Sequence, residues 1–233
     1  MSKESDTHGN MAEGRKARQE TGRPHLRVVG DESAPLRERN DEDLMLAHGE
    51  GCEASFGELV RRYQKSILNY IYRMVQDRQV AEELTQEVFL ALVKNAGRYQ
   101  PTAKFTTYLY TIASNIVSKE WSRRKRRPIL LSLTGWARNR ESEADFDPME
   151  HVSDVKEDPS ADFQRREISE AVNQALGKLP DHQRQAFVLR RFEDLSYEEI
   201  AAIIDAPVGT VKSRVVRAER ALRPLLGAMD EYL

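Results

Sequence analysis

The large apolar residues fall into blocks of helical period, separated by short polar breaks. From Asp41 the stretch "DEDLMLAHGEGCEASFGELVRRYQKSILNYIYRMVQ" places Phe56, Leu59, Val60, Tyr63, Ile67, Tyr70, Ile71 and Met74 at steps of three and four. That spacing predicts an amphipathic helix of roughly six turns. Asp77 stands where an N-cap is needed for "RQVAEELTQEVFLALVKNAG". There Val80, Leu84, Val88 and Leu92 form the inner stripe, Phe89 and Val93 lie beside it, and Gly97 is the expected stop. After the loop "RYQPTAK", a third helix is expected from near Thr106 to Pro128. Together these helices predict a bundle over residues 41–127.

The period is lost over residues 128–160, an acidic stretch containing Pro148 and Pro159. A loop of that length is unusual inside a compact domain, so it is expected to be a linker between two domains. Helical pattern returns near Asp162, with Ile168, Val172, Ala175 and Leu176 on one face. Pro180 suits the first turn of the following helix, which contains "RQAFVLRRF". Ser196 followed by Glu199 is a capping-box pattern and predicts a helix from Tyr197, with Ile200, Ile203 and Ile204 facing inward. "APVG" breaks that helix, and Thr210 is the expected cap of the next. In that last helix Val211, Val215, Ala218, Leu222 and Leu225 recur at four, three, four and three, and Pro224 is expected to kink or end it. The expected second domain is 161–228, followed by a tail at 229–233.

Glycine is sparse, at 12 of 233 residues, and no alternating β-branched run stands out, so the expected fold class is all-α. It consists of two small helical domains joined by a flexible acidic linker. Residues 1–40 lack large apolar periodicity and are expected to be disordered. No apolar stretch is long enough to span a bilayer and the start has no signal-peptide core, so the expected location is the cytoplasm, with no membrane insertion. Cys52 is the one cysteine and the five histidines are scattered, so no metal site and no cofactor are expected.

The net charge of −2 conceals a segregation of charge. "RRKRR" at 123–127 is a block of five cations, whereas residues 141–158 hold eight acids and one lysine. On the last helix Lys212, Ser213, Val216, Arg217 and Arg220 share the face that the apolar stripe leaves free. Two short helices joined by a tight turn can present the second to a DNA major groove. There Lys and Arg donate to guanine edges or phosphates, and Val216 can pack on a thymine methyl. The plain alternative is a solvated basic face on a helical hairpin. In the first module "KFTTYLYTIASN" interleaves Phe105, Tyr108 and Tyr110 with threonines, and Asn115 and Lys119 follow. Rings beside cations suit unstacked bases of single-stranded DNA, although the same rings could fill the bundle core.

"AEELTQEVFL", "KFTTYLYTIASN", "LPDHQRQAFVLRRFEDLSYEEIA" and "GTVKSRVVRAERALR", in that order, resemble a bacterial RNA polymerase sigma factor of the sigma-70 superfamily. The likeness is to the extracytoplasmic-function (ECF) group, which keeps regions 2 and 4, and it covers about 41–127 and 161–228. The resemblance implies that region 2 docks on the β′ clamp helices of core RNA polymerase through Glu83, Gln86 and Glu87. It implies −10 recognition by Phe105, Thr107, Tyr108, Asn115 and Lys119. It implies −35 recognition in promoter DNA by Lys212, Ser213, Val216, Arg217 and Arg220, with region 4 packed on the β flap. The acidic linker resembles the segment that threads toward the polymerase cleft, and an anti-sigma factor is implied as a partner. Two departures stand out. Many relatives carry Asp where Lys119 stands, and primary sigma factors carry tryptophans where Thr111 and Ile112 stand.

Two other classes fit the sequence less well. A free-standing dimeric helix–turn–helix regulator, or the related output domain of a response regulator, has no use for the first module. An enzyme would need a nucleophile–base pair, a phosphate-cradling loop or a metal set, none of which the sequence displays.

Overall fold

The computed structural model describes residues 35–126 and 159–227, with side chains in the second segment described from Ile168 onward. Residues 1–34, residues 127–158, which hold most of the linker expected at 128–160, and residues from 228 on lie outside the described residues; the last two residues of that expected linker, Pro159 and Ser160, instead open a helix. The first segment forms α1 (Asp41–Gly49), α2 (Glu53–Val75), α3 (Arg78–Asn95), a 3₁₀ turn (Ala96–Arg98) and α4 (Phe105–Arg126). The second forms α5 (Pro159–Gly177), α6 (Asp181–Arg191), α7 (Tyr197–Ile203) and α8 (Val208–Leu226). The all-α expectation holds for the described residues.

Local chemistry sets most of these boundaries. Asn40 accepts the Asp43 amide at 2.7 Å and opens α1. Asp77 accepts the Val80 amide at 3.1 Å and opens α3, as its position in the sequence predicts. Between them α2 ends where Gln76 turns left-handed, at φ 55°. Gly49 is required for space, because a Cβ there would lie 2.8 Å from the carbonyl oxygen of Ala96. The chain before α1 is also fixed, although residues 1–40 are expected from sequence to be disordered. Arg62 donates to the carbonyls of Leu36, Arg37 and Arg39 and pairs with Asp41 at 2.6 Å, which organises residues 35–40.

Several expectations need correction. Gly97 does not stop α3, because the chain tightens into the 3₁₀ turn from Ala96. Thr210 does not cap α8; Pro207 stands at that N-cap, and Thr210 lies in the first turn. Pro224 does not end α8, which runs two residues further to Gly227, at φ 52°. Leu225 is 42% exposed, and Leu226, a step of four from Leu222, is buried instead.

The two helical modules pack on each other. α2 meets α5 and α6, and α4 meets α7. Each module keeps its own apolar interior: Leu59, Ile67, Val88, Leu92 and Leu109 in the first, and Leu176, Phe187, Ile200, Val211 and Leu222 in the second.

Candidate nucleic-acid and protein interfaces

The capping box at the start of α7 is formed in both directions. Ser196 Oγ accepts the Glu199 amide at 3.2 Å, and the Ser196 amide donates to Glu199 Oε2 at 2.8 Å. Lys104 adds an ion pair at 2.9 Å, and its hydrogen bond, with those at Ser196, holds the Glu199 carboxyl down at about 2. α7 is thereby fixed at its first turn, and Asp205, at φ 47°, reverses the chain into α8. Val211, Val215, Ala218 and Leu222 on α8 are buried, as the period predicts. The opposite face carries Lys212, Ser213, Val216, Arg217 and Arg220, all exposed, with Val216 at 49%. Lys212 Nζ lies 5.5 Å from the centroid of the Tyr197 ring, which ties the base of this face to the start of α7. The face is cationic with one exposed apolar contact, the combination suited to a major groove.

On α3, Glu83, Gln86 and Glu87 are exposed on the side opposite Leu84 and Val88. The same side continues into Leu90, 57% exposed, and Val93, 44% exposed. The sequence stripe set Val93 beside the core, yet the structure turns it outward and adds Leu90 to it. Steps of three and four from Glu83 and Glu87 lead to Leu90 and Val93, so the period carried the signal. An acidic patch with an apolar end fits a protein surface of opposite charge.

The residues of α4 divide. Asn115 and Lys119 are exposed. Tyr108 is half-buried, with its ring 5.1 Å from that of Tyr99. Phe105 is 1% exposed and packs at 5.5 Å against Tyr63, and its amide donates to Glu42 at 2.6 Å. Thr107 is 8% exposed. Phe105 therefore serves the core in this arrangement, whereas Asn115 and Lys119 are open to solvent. A cleft of about 240 Å³ separates α3 from α4, lined by Glu83, Leu84, Glu87, Ile116, Lys119, Glu120 and Arg123. It brings the two expected patches together at one edge.

The basic block at the end of α4 has partners both on α4 itself and on neighbouring elements. Glu120 is 5% exposed and pairs with Arg123 at 2.6 Å and Arg124 at 2.8 Å. Burial pushes its carboxyl up, but the two guanidinium groups outweigh that and hold it below the ordinary value. Arg124 also donates to the Val75 carbonyl at 2.8 Å, and Lys125 pairs with Asp181 at 2.9 Å. Among the described residues no cluster of His, Cys, Asp and Glu could hold a metal ion, and no helix is long and apolar enough to cross a membrane.

Comparison with known proteins gives a consistent picture. Residues 59–127 match the family model for sigma-70 region 2, and residues 169–222 match that for sigma-70 region 4. The RNA polymerase sigma-H factor of Pseudomonas aeruginosa is 36% identical over 195 residues, covering 82% of this chain and 98% of the relative. The ECF RNA polymerase sigma-E factor of Escherichia coli K12 is 32% identical over 183 residues, covering 78% and 92%. SigW of Bacillus subtilis is 32% identical over 176 residues, covering 76% and 91%. Among solved structures, CnrH in complex with the cytosolic domain of CnrY is similar at a TM-score of 0.55 and 22% identity, covering 81% of this chain and 97% of that one. RpoE of Bartonella quintana in complex with the anti-sigma factor NepR is similar at 0.52 and 23%, covering 73% and 96%.

Proposed function

The chain belongs to the sigma-70 family, in its extracytoplasmic-function group, and from that premise we propose how its surfaces divide the work of promoter selection. A sigma factor is not an enzyme; it directs core RNA polymerase to promoters. α8 reads the −35 element as duplex through Lys212, Ser213, Val216, Arg217 and Arg220. α4 reads the −10 element through Tyr108, Asn115 and Lys119, with Thr107 joining where the strand reaches it and Phe105 supporting Tyr63 and Tyr99 from the core side. α3 docks on the β′ clamp helices through Glu83, Gln86 and Glu87, extended by Leu90 and Val93, and region 4 packs on the β flap. The site of action is the bacterial cytoplasm. An anti-sigma factor is its regulatory partner; the similar RpoE of Bartonella quintana was solved in complex with the anti-sigma factor NepR.

The single observation that carries this reading is the division of α8. Its apolar side is fully buried against the helix–turn–helix, while five residues able to meet bases or phosphates stand exposed on the other side. A dimeric operator-binding regulator would use α8 alike but leaves the exposed face of α3 without a role. The deciding experiment is run-off transcription with core RNA polymerase on the DNA upstream of the chain's own gene. Specific transcripts are expected only when the chain is added. Sequence-specific duplex binding with no binding to core polymerase would favour the regulator instead.

A further inference from the structure

α4 begins without a cap of its own. The first amides of a helix have no partner within it, and a Ser, Thr, Asp or Asn one residue ahead commonly accepts one of them. Lys104 stands there instead. Its ammonium can only donate, and it pairs with Glu199 at 2.9 Å. The missing acceptor comes from α1. Glu42 Oε1 accepts the Phe105 amide at 2.6 Å, from 63 residues away in the chain. Glu42 lies in the first turn of α1, and both ends of that helix are seated. At its start Asp41 accepts the Tyr63 hydroxyl and pairs with Arg62 at 2.6 Å. At its end Gly49 lies too close to the Ala96 carbonyl for any side chain. α1 thus ties the 3₁₀ turn to the start of α4, the two ends of the loop between them.

The first turn of α4 carries Thr107 and Tyr108. The Tyr108 amide donates to the Lys104 carbonyl at 3.3 Å, so its place depends on that turn being closed. The Tyr108 ring packs on Tyr99 at 5.1 Å, and Tyr99 packs on Phe105 at 6.3 Å. Phe105 packs in turn on Tyr63, the residue that donates to Asp41. The Tyr99 hydroxyl is buried without a hydrogen-bond partner, so packing holds that ring. Burial first and the Glu42 charge next push this hydroxyl above its ordinary value, so the carboxylate acts directly on the ring that supports Tyr108. The neighbouring acids of α1 therefore hold the aromatic cluster at two points, Asp41 through Tyr63 and Glu42 through the backbone of Phe105.

We propose that Glu42 is a positioning residue for −10 recognition: by capping α4 from α1 it sets where Thr107 and Tyr108 meet the −10 strand. The inference rests on the proposed reading of that element by α4. Without the acceptor, the part-buried Phe105 amide is left unpaired or the turn opens to water. A lost cap shifts such an equilibrium by a factor of about 2–30. Glutamine keeps an acceptor oxygen at the same reach, whereas alanine keeps none. The negative charge at the helix start adds a smaller part, which glutamine lacks.

The test uses the full chain with saturating core polymerase on the promoter upstream of its own gene. Opening is read as permanganate reactivity of the −10 thymines, and affinity for the unopened promoter is measured separately. Glu42→Ala should lower opening about fivefold or more, with affinity for core polymerase and for the unopened promoter unchanged. Glu42→Gln should restore most of the opening. Asp77→Ala removes the cap of α3, a comparable loss of one acceptor, and so measures plain destabilisation. It should lower the denaturant midpoint as Glu42→Ala does yet leave opening at the wild-type level. Wild-type opening by Glu42→Ala, no rescue by glutamine, or an equal loss of opening in Asp77→Ala would each overturn the proposal. Tyr108→Ala with Asn115→Ala tests the premise by itself. Wild-type opening in that variant would sink the −10 reading by those residues, whereas a Glu42→Ala loss rescued by glutamine would still show that the cap positions α4.

Discussion

Leu90 and Val93 should contribute to polymerase binding independently of the acidic patch beside them. Fully burying a Val or Leu side chain stabilises by about 1.5–3 kcal/mol. Leu90 is 57% exposed and Val93 44% exposed, so each has roughly half of that still to gain on docking. Together they could contribute about 1.5–3 kcal/mol, a factor of about 10–150 in affinity. Leu90→Ala with Val93→Ala removes that area without touching the stripe formed by Leu84, Val88 and Leu92. Alanine is also the strongest helix former, so α3 should stay intact. The assay is competition against a labelled sigma factor for core polymerase, at low and high salt. The double alanine variant should bind at least tenfold more weakly, with the deficit nearly independent of salt. Charge reversal at Glu83 and Glu87 should give a deficit that shrinks as salt rises. Affinity of the alanine variant within twofold of wild type, with helicity unchanged, would remove Leu90 and Val93 from the docking face.

On the recognition helix, Arg217→Ala and Lys212→Ala should each weaken −35 binding. A lost base contact costs about 1–3 kcal/mol and relaxes choice at one position, whereas a lost phosphate contact weakens all sequences alike and lowers the salt slope; binding to a panel of −35 variants separates the two. Packing of the second module on the first should depend on pH through Glu193, whose carboxyl burial pushes from the ordinary 4.5 up to about 7 against the opposing Tyr110 hydroxyl and Arg73. A value raised in the packed arrangement means that protonation favours packing: the gain is complete below 4.5 and is lost as pH rises through 7. Between pH 6 and pH 8 the stability of the chain should fall by about 1.4 kcal/mol from this group, and Glu193→Gln should flatten that slope in denaturant unfolding of the full chain.

What the sequence made legible was local. Asp77 and the Ser196–Glu199 pair mark helix starts through side chains that reach only three residues, so their caps appear in the structure as the spacing implies. The inner stripe of α8 is legible for the same reason, down to Leu222. The pattern weakens at helix ends, where one step of three against four decides which leucine is buried. Leu225 and Leu226 exchange places there. A proline is a poor stop signal at Pro224, since the helix needs only two more residues before Gly227 turns it.

The packing of the two modules on each other was illegible for a different reason. Gln185 meets Ser114 and Tyr70 across separations of 71 and 115 residues, and Arg184 meets Met74 across 110. No period or cap connects such pairs. Each residue in isolation reads as ordinary polar helix surface, and the acidic stretch between the modules argues for their independence. The same holds for Phe105 and the basic block. Phe105 reads as a ring beside cations until Tyr63, Tyr99 and Glu42 are seen around it. Of "RRKRR", Lys125 reads as a free charge until Asp181 is seen to hold it, whereas Glu120 lies one helical turn from Arg123 and Arg124. The exposed faces of α3 and α8, proposed to meet partners, stay legible because they are defined by what a helix leaves unburied. Contacts between the modules are made by side chains distant in sequence, and only the folded chain brings them together.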